Sequence, residues 1–388
     1  MGEYSCTVHS PTLVNTVGSL AEMLSRLTVE PAVAVDTESN SLYAYTERVC
    51  LIQFSVPGED YLVDTLALED VSALGMLFAE PKVGKVFHAA EYDVRVLRRD
   101  YQFQLVNLFD TMIASRIVGW PRYGLAALLE EHFGVLTDKR MQRTDWGRRP
   151  LSPEQLEYAQ LDTHFLLPLR DRLLDALAAQ NRIEEARAAF DRVAQSEWTE
   201  KQFDPDGFWR IRGASDLDNA GLAVLRALYI YRDRRAQALD RPLFKVLSDH
   251  VLLALSRQRP TSRAELGRIK GLPRRLSSRG QRRILAAIQR GLHSPPIRRR
   301  GRGSNGRLDE MMASRYEIMR TWRKERAAAR GVEADVILSN RALHLLARHN
   351  PTSLERLRAI GVLNDWERQE YEREIVTLLR RQPRTSSS

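Results

Sequence analysis

Near the start of the chain, Ala32-Val33-Ala34-Val35-Asp36-Thr37-Glu38-Ser39 predicts an apolar strand that ends in two carboxylates. Because side chains alternate along a strand, Asp36 and Glu38 fall on one face. Two neighbouring anions repel each other, and a hard divalent cation with oxygen ligands is the usual way to balance them. Such D-x-E pairs also arise by chance, so a metal site needs further acidic residues.

The rest of the first half alternates segments typical of strands with segments typical of helices. Three strands follow in quick succession, Ala32–Val35, Val49–Val56 and Tyr61–Asp64, and a short apolar run, Val83–Phe87, comes later. Helices are predicted over Ser19–Leu27, Val71–Phe78, Val94–Arg99, Met112–Val118, Leu125–Phe133 and Glu154–Ala178. Hairpins at the beginning and helices at the end predict a mixed α/β domain.

Two later segments supply further acidic residues. The run after Val83–Phe87 reads His88-Ala89-Ala90-Glu91-Tyr92-Asp93, which places Asp93 on the first turns of a helix. Within the predicted helix Glu154–Ala178, Tyr158 and Asp162 are four residues apart and therefore share one face. The sequence thus carries four carboxylates and a phenol in three short motifs.

The second half of the chain reads as helical and repeats itself at a spacing of 91 residues. Val246-Leu247-Ser248-Asp249 corresponds to Ile337-Leu338-Ser339-Asn340, and Pro260-Thr261-Ser262 corresponds to Pro351-Thr352-Ser353. Two copies of one small helical domain are therefore predicted. Residues 295–307, rich in proline, arginine and glycine, predict a flexible basic linker, and residues 381–388 predict a frayed tail.

Charge divides unevenly between the two halves. Residues 1–200 hold 19 Lys+Arg and 30 Asp+Glu, whereas residues 201–388 hold 40 and 20. A net charge of −11 beside one of +20 is typical of a polyanion-binding module attached to a domain of another kind. One short basic run is predicted to contact phosphates: Arg268, Lys270, Arg274, Arg275, Arg279, Arg282 and Arg283.

Length and composition exclude several classes of protein. With 388 residues, 43% of them hydrophobic and 28% charged, the chain can form two or three folded domains, and wholesale disorder is excluded. No apolar run is long enough for a membrane span and no signal-peptide pattern occurs, so we expect a cytoplasmic protein without membrane contact. Cys6 and Cys50, the only cysteines, cannot form a disulfide framework, and no Cys/His cluster predicts structural zinc.

The order D-x-E, then H-x-x-x-x-D, then Y-x-x-x-D resembles ribonuclease D, a member of the tyrosine subtype of the DEDD exonuclease superfamily. The histidine subtype would require His at position 157, which is Glu157 here. The tandem helical repeats resemble HRDC domains, which occur in those nucleases and in RecQ-type helicases. The resemblance implies an α/β ribonuclease H-like (DnaQ-like) exonuclease domain over residues 1–196, followed by two small all-α HRDC domains over residues 215–294 and 308–382.

Carried over by position, Asp36 and Glu38 match the first motif, Asp93 the second, and Tyr158 with Asp162 the third. The resemblance implies that the four carboxylates bind two divalent metal ions, Mg²⁺ or alternatively Mn²⁺, for phosphodiester hydrolysis. Glu38 and Asp162 would bind the ion that activates water. Asp36 would bridge both ions, and Asp93 would bind the ion beside the leaving group. Tyr158 would orient the attacking water, since a phenol is a poor base at neutral pH.

The implied activity is hydrolysis of RNA from its 3′ end with release of nucleoside 5′-monophosphates. We expect tRNA precursors and other structured RNAs as substrates and favour a monomeric enzyme. The helical repeats would hold the body of the RNA while the acidic pocket receives its 3′ end. One alternative is a DNA exonuclease of the proofreading or Werner type, although no polymerase motif or P-loop accompanies the domain. Another is a catalytically silent RNA-binding scaffold, which does not account for the five matching residues.

Three polar residues near the motifs receive structural interpretations. Asp110 precedes a helical run, so we predict that it caps the helix rather than binds metal. His88 is expected to form a hydrogen bond where the strand meets the helix. His164 lies off the face that carries Tyr158 and Asp162, and no catalytic role is assigned to it.

Overall fold

The computed structural model describes residues 9–138, 140–200, 202–272, 276–297 and 306–380, with only the backbone of residues 306–309. The chain divides into two compact units. The first comprises Met1–Glu38, Val49–Trp198 and Ser304–Ser388, and the second comprises Ser39–Arg48 and Thr199–Gly303. The first unit therefore holds the α/β domain and the second helical repeat, and the second unit holds the first helical repeat. Cys6, most of the predicted linker and the predicted tail lie outside the described residues.

Six strands form one mixed sheet in the first unit. They are β1 Thr12–Val14, β2 Ala32–Ser39, β3 Val49–Val56, β4 Glu59–Val63, β5 Gly84–Phe87 and β6 Leu108–Asp110. Their order across the sheet is β1-β4-β3-β2-β5-β6. β3 and β4 form a hairpin as predicted, whereas β1 is parallel to β4, and β5 is parallel to both β2 and β6. β1 and β6 were not predicted because three residues are too few to show a strand pattern.

The helices of the α/β domain follow the predicted order. They are α1 Val17–Leu27, α2 Leu74–Ala79, α3 Glu91–Tyr101, α4 Thr111–Val118, α5 Leu125–Phe133, α6 Pro153–His164, α7 Leu166–Ala179 and α8 Ile183–Ala194. The single helix predicted over Glu154–Ala178 is wrong, because Phe165 separates α6 from α7. α8 was not predicted, although acidic residues in its first turn and Arg192 in its last are typical of helix ends.

Both faces of the sheet are covered by apolar contacts. Ile52, Phe54 and Val56 of β3 belong to the main core of the domain. On the opposite face, Leu51 packs with Ala159 of α6 in a smaller cluster. α6 therefore packs directly on β3, which positions the side chains on its buried face.

The two helical repeats have the same succession of helices. The first contains α9 Asn219–Leu239, α10 Leu243–Val246, α11 Asp249–Gln258, α12 Arg263–Leu266 and α13 Ser278–His293. The second contains α14 Gly306–Arg330, α15 Ala334–Ile337, α16 Asn340–His349, α17 Leu354–Ile360 and α18 Asp365–Arg380. The predicted domain boundaries at residues 1–196, 215–294 and 308–382 stay predictions.

Buried contacts in the two repeats match at the offset of 91 residues. In the first repeat, buried Arg232 donates hydrogen bonds to the carbonyl of Leu247 at 3.2 Å and to Asp249 Oδ1 at 2.6 Å. Its counterpart Arg323 donates to the equivalent carbonyl and side chain at 2.8 and 2.9 Å. Serine side chains cap equivalent helices, at Ser248 and Ser262 in one copy and at Ser339 and Ser353 in the other. The predicted internal repeat is confirmed.

The second repeat packs against the α/β domain within the first unit. Arg330, at the end of α14, forms an ion pair with Glu185 of α8, and its carbonyl accepts a hydrogen bond of 2.9 Å from Arg182. The backbone of Gly119, with φ of 88°, approaches so closely that a Cβ there would lie 2.5 Å from the carbonyl oxygen of Gly331. The second repeat therefore supports the α/β domain directly. No described helix is long and apolar enough to cross a membrane.

Candidate functional site

The predicted site residues gather where two parallel strands end. β2 carries Asp36 and Glu38 near its carboxyl end, and β5 leads into α3, which carries Asp93. β2 and β5 are parallel, with Ala34 beside Val86, so the segments that follow them lie at the same edge of the sheet. Ligand sites of α/β proteins characteristically form at this edge.

The start of α3 is held in place by a buried carboxylate. Asp110 accepts hydrogen bonds from the backbone N–H groups of Ala89 at 3.1 Å and Ala90 at 2.8 Å. It also accepts two from the first turn of α4, as the N-cap that the sequence predicted. Asp93, in the first turn of α3, accepts a hydrogen bond from the Thr37 hydroxyl between the two carboxylates of β2. These bonds fix Asp93 beside Asp36 and Glu38.

α6 contributes the third motif. Ser152 and Gln155 exchange hydrogen bonds at its N-terminus, and Pro153 occupies the first turn, so the helix start is well defined. Tyr158 and Asp162 are one turn apart on this helix and buried. Their shared face follows from the spacing, as predicted.

Three of the predicted metal ligands meet directly. Carboxylate oxygens of Asp36, Glu38 and Asp162 all lie within 4.8 Å of one another, close enough to share a cation. Asp93 lies outside this triplet, but it is close enough for its charge to raise the pKa of Asp36. We call these four residues the carboxylate cluster.

Burial raises the pKa of each residue in the carboxylate cluster, and neighbouring carboxylates raise it further. Desolvation is the largest cause at Asp36 and Glu38, and the neighbouring carboxylates add to it. Desolvation also raises the pKa values of Asp93 and Asp162 to about 7. Among the described lysines and arginines, none forms an ion pair with these carboxylates. Oxygen donors with uncompensated negative charge fit hard divalent cations, which would relieve the repulsion.

Tyr158 is held between β3 and the segment that precedes α6. It is 7% exposed, and its ring centroid lies 6.2 Å from that of Trp146. Burial raises its pKa, and the charges of Asp162 and Glu38 raise it further. The hydroxyl therefore stays protonated at neutral pH, where it can donate a hydrogen bond.

The two histidines near the motifs form structural hydrogen bonds. His88 Nδ1 lies 2.9 Å from Thr111 Oγ1, and burial lowers the pKa of His88 to about 4. His164 Nδ1 lies 2.8 Å from Asp60 Oδ2, a residue of β4. The hydrogen bond predicted for His88 is confirmed.

Thr37 and Trp146 also belong to the surroundings of the site, and the sequence did not indicate them. The only feature of the sequence that points to Thr37 is its position between two acidic residues. Trp146 lies twelve residues before Tyr158, and no periodicity connects a loop residue with a helix face.

A second candidate site lies in the first helical repeat, between α9 and α13. This groove has a volume of about 760 Å³, and we call it the arginine groove. Its charged and aromatic lining consists of Arg226, Tyr231, Arg234, Arg235, Arg283 and Arg290. Arg226 pairs with Asp206 at 3.0 Å, whereas the other four arginines form no ion pair with a described carboxylate. Such a concentration of positive charge suits an anionic ligand.

The arginine groove overlaps only partly with the basic run that the sequence predicted. Arg283 belongs to both, and Arg268, Lys270, Arg279 and Arg282 are exposed in the same unit. Arg274 and Arg275 lie outside the described residues. Arg234 and Arg235 were not singled out because they come from a different helix, which only the fold brings beside α13.

Comparisons with known proteins agree with this architecture. A family model described as 3′-5′ exonuclease matches residues 11–178, and the HRDC domain model matches residues 221–288 and 312–379. Ribonuclease D of Gluconacetobacter diazotrophicus is 33% identical over 266 residues, which cover 68% of this chain and 67% of that protein. Protein RRP6-like 3 of Arabidopsis thaliana is 36% identical over 277 residues, which cover 65% of this chain and 31% of that protein. The chain spans about a third of the length of several curated relatives of this second type.

A solved structure extends the similarity to the helical repeats. Escherichia coli RNase D, described as an exoribonuclease involved in structured RNA processing, matches with a TM-score of 0.65 and 25% sequence identity. The match covers 97% of this chain and 100% of that chain. The predicted fold class, an α/β exonuclease domain followed by two HRDC domains, is confirmed. The chain belongs to the ribonuclease D family of 3′-5′ exonucleases.

Proposed function

We propose that this protein is a divalent-metal-dependent 3′-5′ exoribonuclease that releases nucleoside 5′-monophosphates. The observation that carries the proposal is the meeting of Asp36, Glu38 and Asp162 within 4.8 Å, with Tyr158 one turn from Asp162 on α6. Family membership supports the reaction, and the relatives named as ribonucleases support RNA as its substrate.

The carboxylate cluster accounts for the dependence on metal. Two divalent ions, in the first place Mg²⁺, would supply a water activated at neutral pH and would neutralise charge on the leaving oxygen. Asp36 would be a ligand to both ions. Glu38 and Asp162 would hold the ion that activates water, and Asp93 would hold the ion beside the leaving group. Because ligands must be deprotonated, the raised pKa values of this cluster make metal affinity increase with pH around neutrality.

Tyr158 is assigned the positioning of water. Its hydroxyl stays protonated because burial and the neighbouring carboxylates raise its pKa, so it acts as a hydrogen-bond donor and not as a base. A hydrogen-bond donor held beside the reacting water would orient that water for attack rather than accept its proton.

The arginine groove is proposed to bind RNA phosphates outside the active site. Three of its arginines, Arg226, Arg234 and Arg283, correspond at the offset of 91 residues to acidic residues of the second repeat. These counterparts are Glu317, Glu325 and Glu374. The first repeat is therefore the better candidate for RNA binding, and structured RNAs such as tRNA precursors offer the many phosphates that such a surface requires.

Matched RNA and DNA substrates test the proposal. We would incubate the full-length protein and Mg²⁺ with 5′-labelled single strands of one sequence, made once as RNA and once as DNA. The expected result is stepwise shortening of the RNA and recovery of nucleoside 5′-monophosphates. Equal or faster shortening of the DNA would favour the DNA exonuclease instead. Stable RNA under conditions where it binds would favour a silent scaffold.

A further inference from the structure

Arg149 connects the segment before α6 to two strands of the sheet. Its Nε and Nη2 donate to the two carboxylate oxygens of Asp64 at 2.6 and 2.7 Å, and Nη2 also donates to the carbonyl of Cys50 at 2.8 Å. In the other direction, Nη1 donates to the carbonyl of Trp146 at 2.7 Å. A planar guanidinium that forms these bonds at once permits only a narrow range of positions for the segment.

Asp64, the acceptor of the paired bonds, is itself firmly held. It follows β4, its side chain is 7% exposed, and its Oδ1 also accepts the backbone N–H groups of Leu66 and Ala67 at 3.0 and 3.2 Å. Arg149 and hydrogen bonds from these backbone groups keep the pKa of Asp64 below its ordinary value. The Arg149–Asp64 pair is therefore a fixed point on the sheet rather than a mobile surface contact.

The segment held by Arg149 packs against the catalytic candidate Tyr158. Trp146 is 1% exposed, and its ring lies against that of Tyr158 with the centroids 6.2 Å apart. Thr144 accepts a bond of 2.9 Å from Gln155 of α6. The ring of Tyr158 thus has the sheet on one side and this segment on the other.

We propose that Arg149 and Asp64 are positioning residues for the reaction: they hold Trp146 against Tyr158 and thereby set the location of the Tyr158 hydroxyl. This inference rests on the proposed role of that hydroxyl in orienting water. Displacements of about 1 Å at such a group can cost about 10²-fold in rate. Loosening the segment therefore lowers kcat while the carboxylate cluster and the metal ligands remain in place.

A double-mutant cycle distinguishes this role from general support of the fold. We would measure kcat and KM on a short RNA for Arg149→Lys, for Tyr158→Phe and for the double variant. Arg149→Lys keeps the charge but loses the paired geometry, so kcat is expected to fall about 10- to 100-fold with little change in KM. Tyr158→Phe is expected to lower kcat about 10²- to 10⁴-fold. The double variant should be no slower than Tyr158→Phe alone, because both changes disable the same hydroxyl.

Arg140→Lys is the matched control. Arg140 lies in the same stretch of chain, but its side chain is exposed and forms an ion pair of 2.6 Å with nearby Asp138. This variant should keep the wild-type kcat. If Arg149→Lys does not fold, Asp64→Asn serves in its place, since it retains size and removes one charge, and it is expected to show the same cycle.

Each result supports or overturns the inference. Losses that multiply in the double variant, or a wild-type kcat for folded Arg149→Lys, would show that Arg149 does not act through Tyr158. An unchanged kcat for Tyr158→Phe would overturn the assigned role of Tyr158 together with the inference. The first two outcomes leave the exonuclease proposal standing, so the two failures can be told apart.

Discussion

The carboxylate cluster and the arginine groove both concentrate charge of one sign, but they do so on different scales. The cluster brings carboxylate oxygens within 4.8 Å of one another in a mostly buried setting, where desolvation raises their pKa values. The groove spreads its arginines around about 760 Å³. A small, buried anionic site selects compact cations and supports chemistry, whereas a wide cationic groove suits a polyanion and provides affinity. Turnover and RNA binding should therefore be separable by mutation.

A comparison of the two helical repeats shows which features follow from the shared fold and which belong to the first repeat. Arg232 and Arg323 form equivalent buried hydrogen bonds in the two copies, so the architecture is the same. The groove arginine Arg283 nevertheless corresponds to Glu374, which pairs with Arg326 in the second copy. Repeat architecture alone therefore does not produce the concentration of arginines found in the groove.

The largest expected effect comes from neutralising a metal ligand. Asp162→Asn removes one charge from the carboxylate cluster and leaves the first repeat unchanged, so hydrolysis should fall at least about 10³-fold while RNA affinity survives. Turnover in Mg²⁺ and binding in EDTA measure the two properties separately. Glu69→Gln, at an exposed carboxylate of the same domain, is the control and should behave as wild type. Substantial turnover by Asp162→Asn would contradict the site assignment.

Charge reversal in the arginine groove should give the opposite pattern. Arg283→Glu installs the residue that the second repeat carries at the equivalent position, so the helical architecture is known to accommodate it. Affinity for a tRNA-sized RNA should fall about tenfold, with an unchanged kcat on a short oligomer. Arg373→Glu, on α18 of the second repeat, is the matched charge reversal and should have little effect. Equal losses in the two variants would remove the distinction between the repeats.

Salt dependence sharpens the same comparison. Removing one interaction between an arginine and an RNA phosphate should reduce the slope of log K against log salt by roughly 0.7 to 0.9. Arg283→Glu should therefore bind RNA with a shallower slope than wild type, whereas Asp162→Asn should keep the wild-type slope. Filter binding at several salt concentrations measures the slope. An unchanged slope for Arg283→Glu would show that Arg283 does not contact an RNA phosphate.

The smallest effect concerns stability of the metal-free protein. The folded-state pKa values of Asp93 and Asp162, about 7, lie above the ordinary value of 3.8, so protonation stabilises the folded state. This stabilisation is complete in acid and is lost as the pH rises through about 7. In EDTA at pH 8, Asp162→Asn should therefore melt about 2–6 °C above wild type, and the difference should narrow towards pH 5. Mg²⁺ should raise the wild-type Tm at pH 8, and a Tm gap that does not change with pH would contradict the electrostatic explanation.

Local rules explain why much of the fold and site could be predicted from the sequence. The apolar run before Asp36 predicted a strand, and the four-residue spacing of Tyr158 and Asp162 predicted a shared helix face. The 91-residue offset predicted both helical repeats, because Leu247 and Leu338, which recur at this spacing, are buried in equivalent cores, and Ser248 and Ser339 cap equivalent helices.

Contacts between distant segments explain what the sequence did not predict. Arg149 meets Asp64 across 85 residues, and the arginine groove joins α9 with α13. The ion pair of Arg330 with Glu185 likewise attaches the second repeat to the α/β domain across 145 residues. Local periodicity carries no information about such pairs, which arise only when packed elements bring their surfaces together.

The most direct test of hydrolysis at the carboxylate cluster follows the products of a 5′-labelled RNA of defined sequence with Mg²⁺ and the full-length protein. We predict a ladder that shortens from the 3′ end one nucleotide at a time, and no ladder in EDTA or with Asp36→Asn. Internal cleavage products would contradict exonuclease action. A ladder that persists with Asp36→Asn would contradict hydrolysis at the carboxylate cluster.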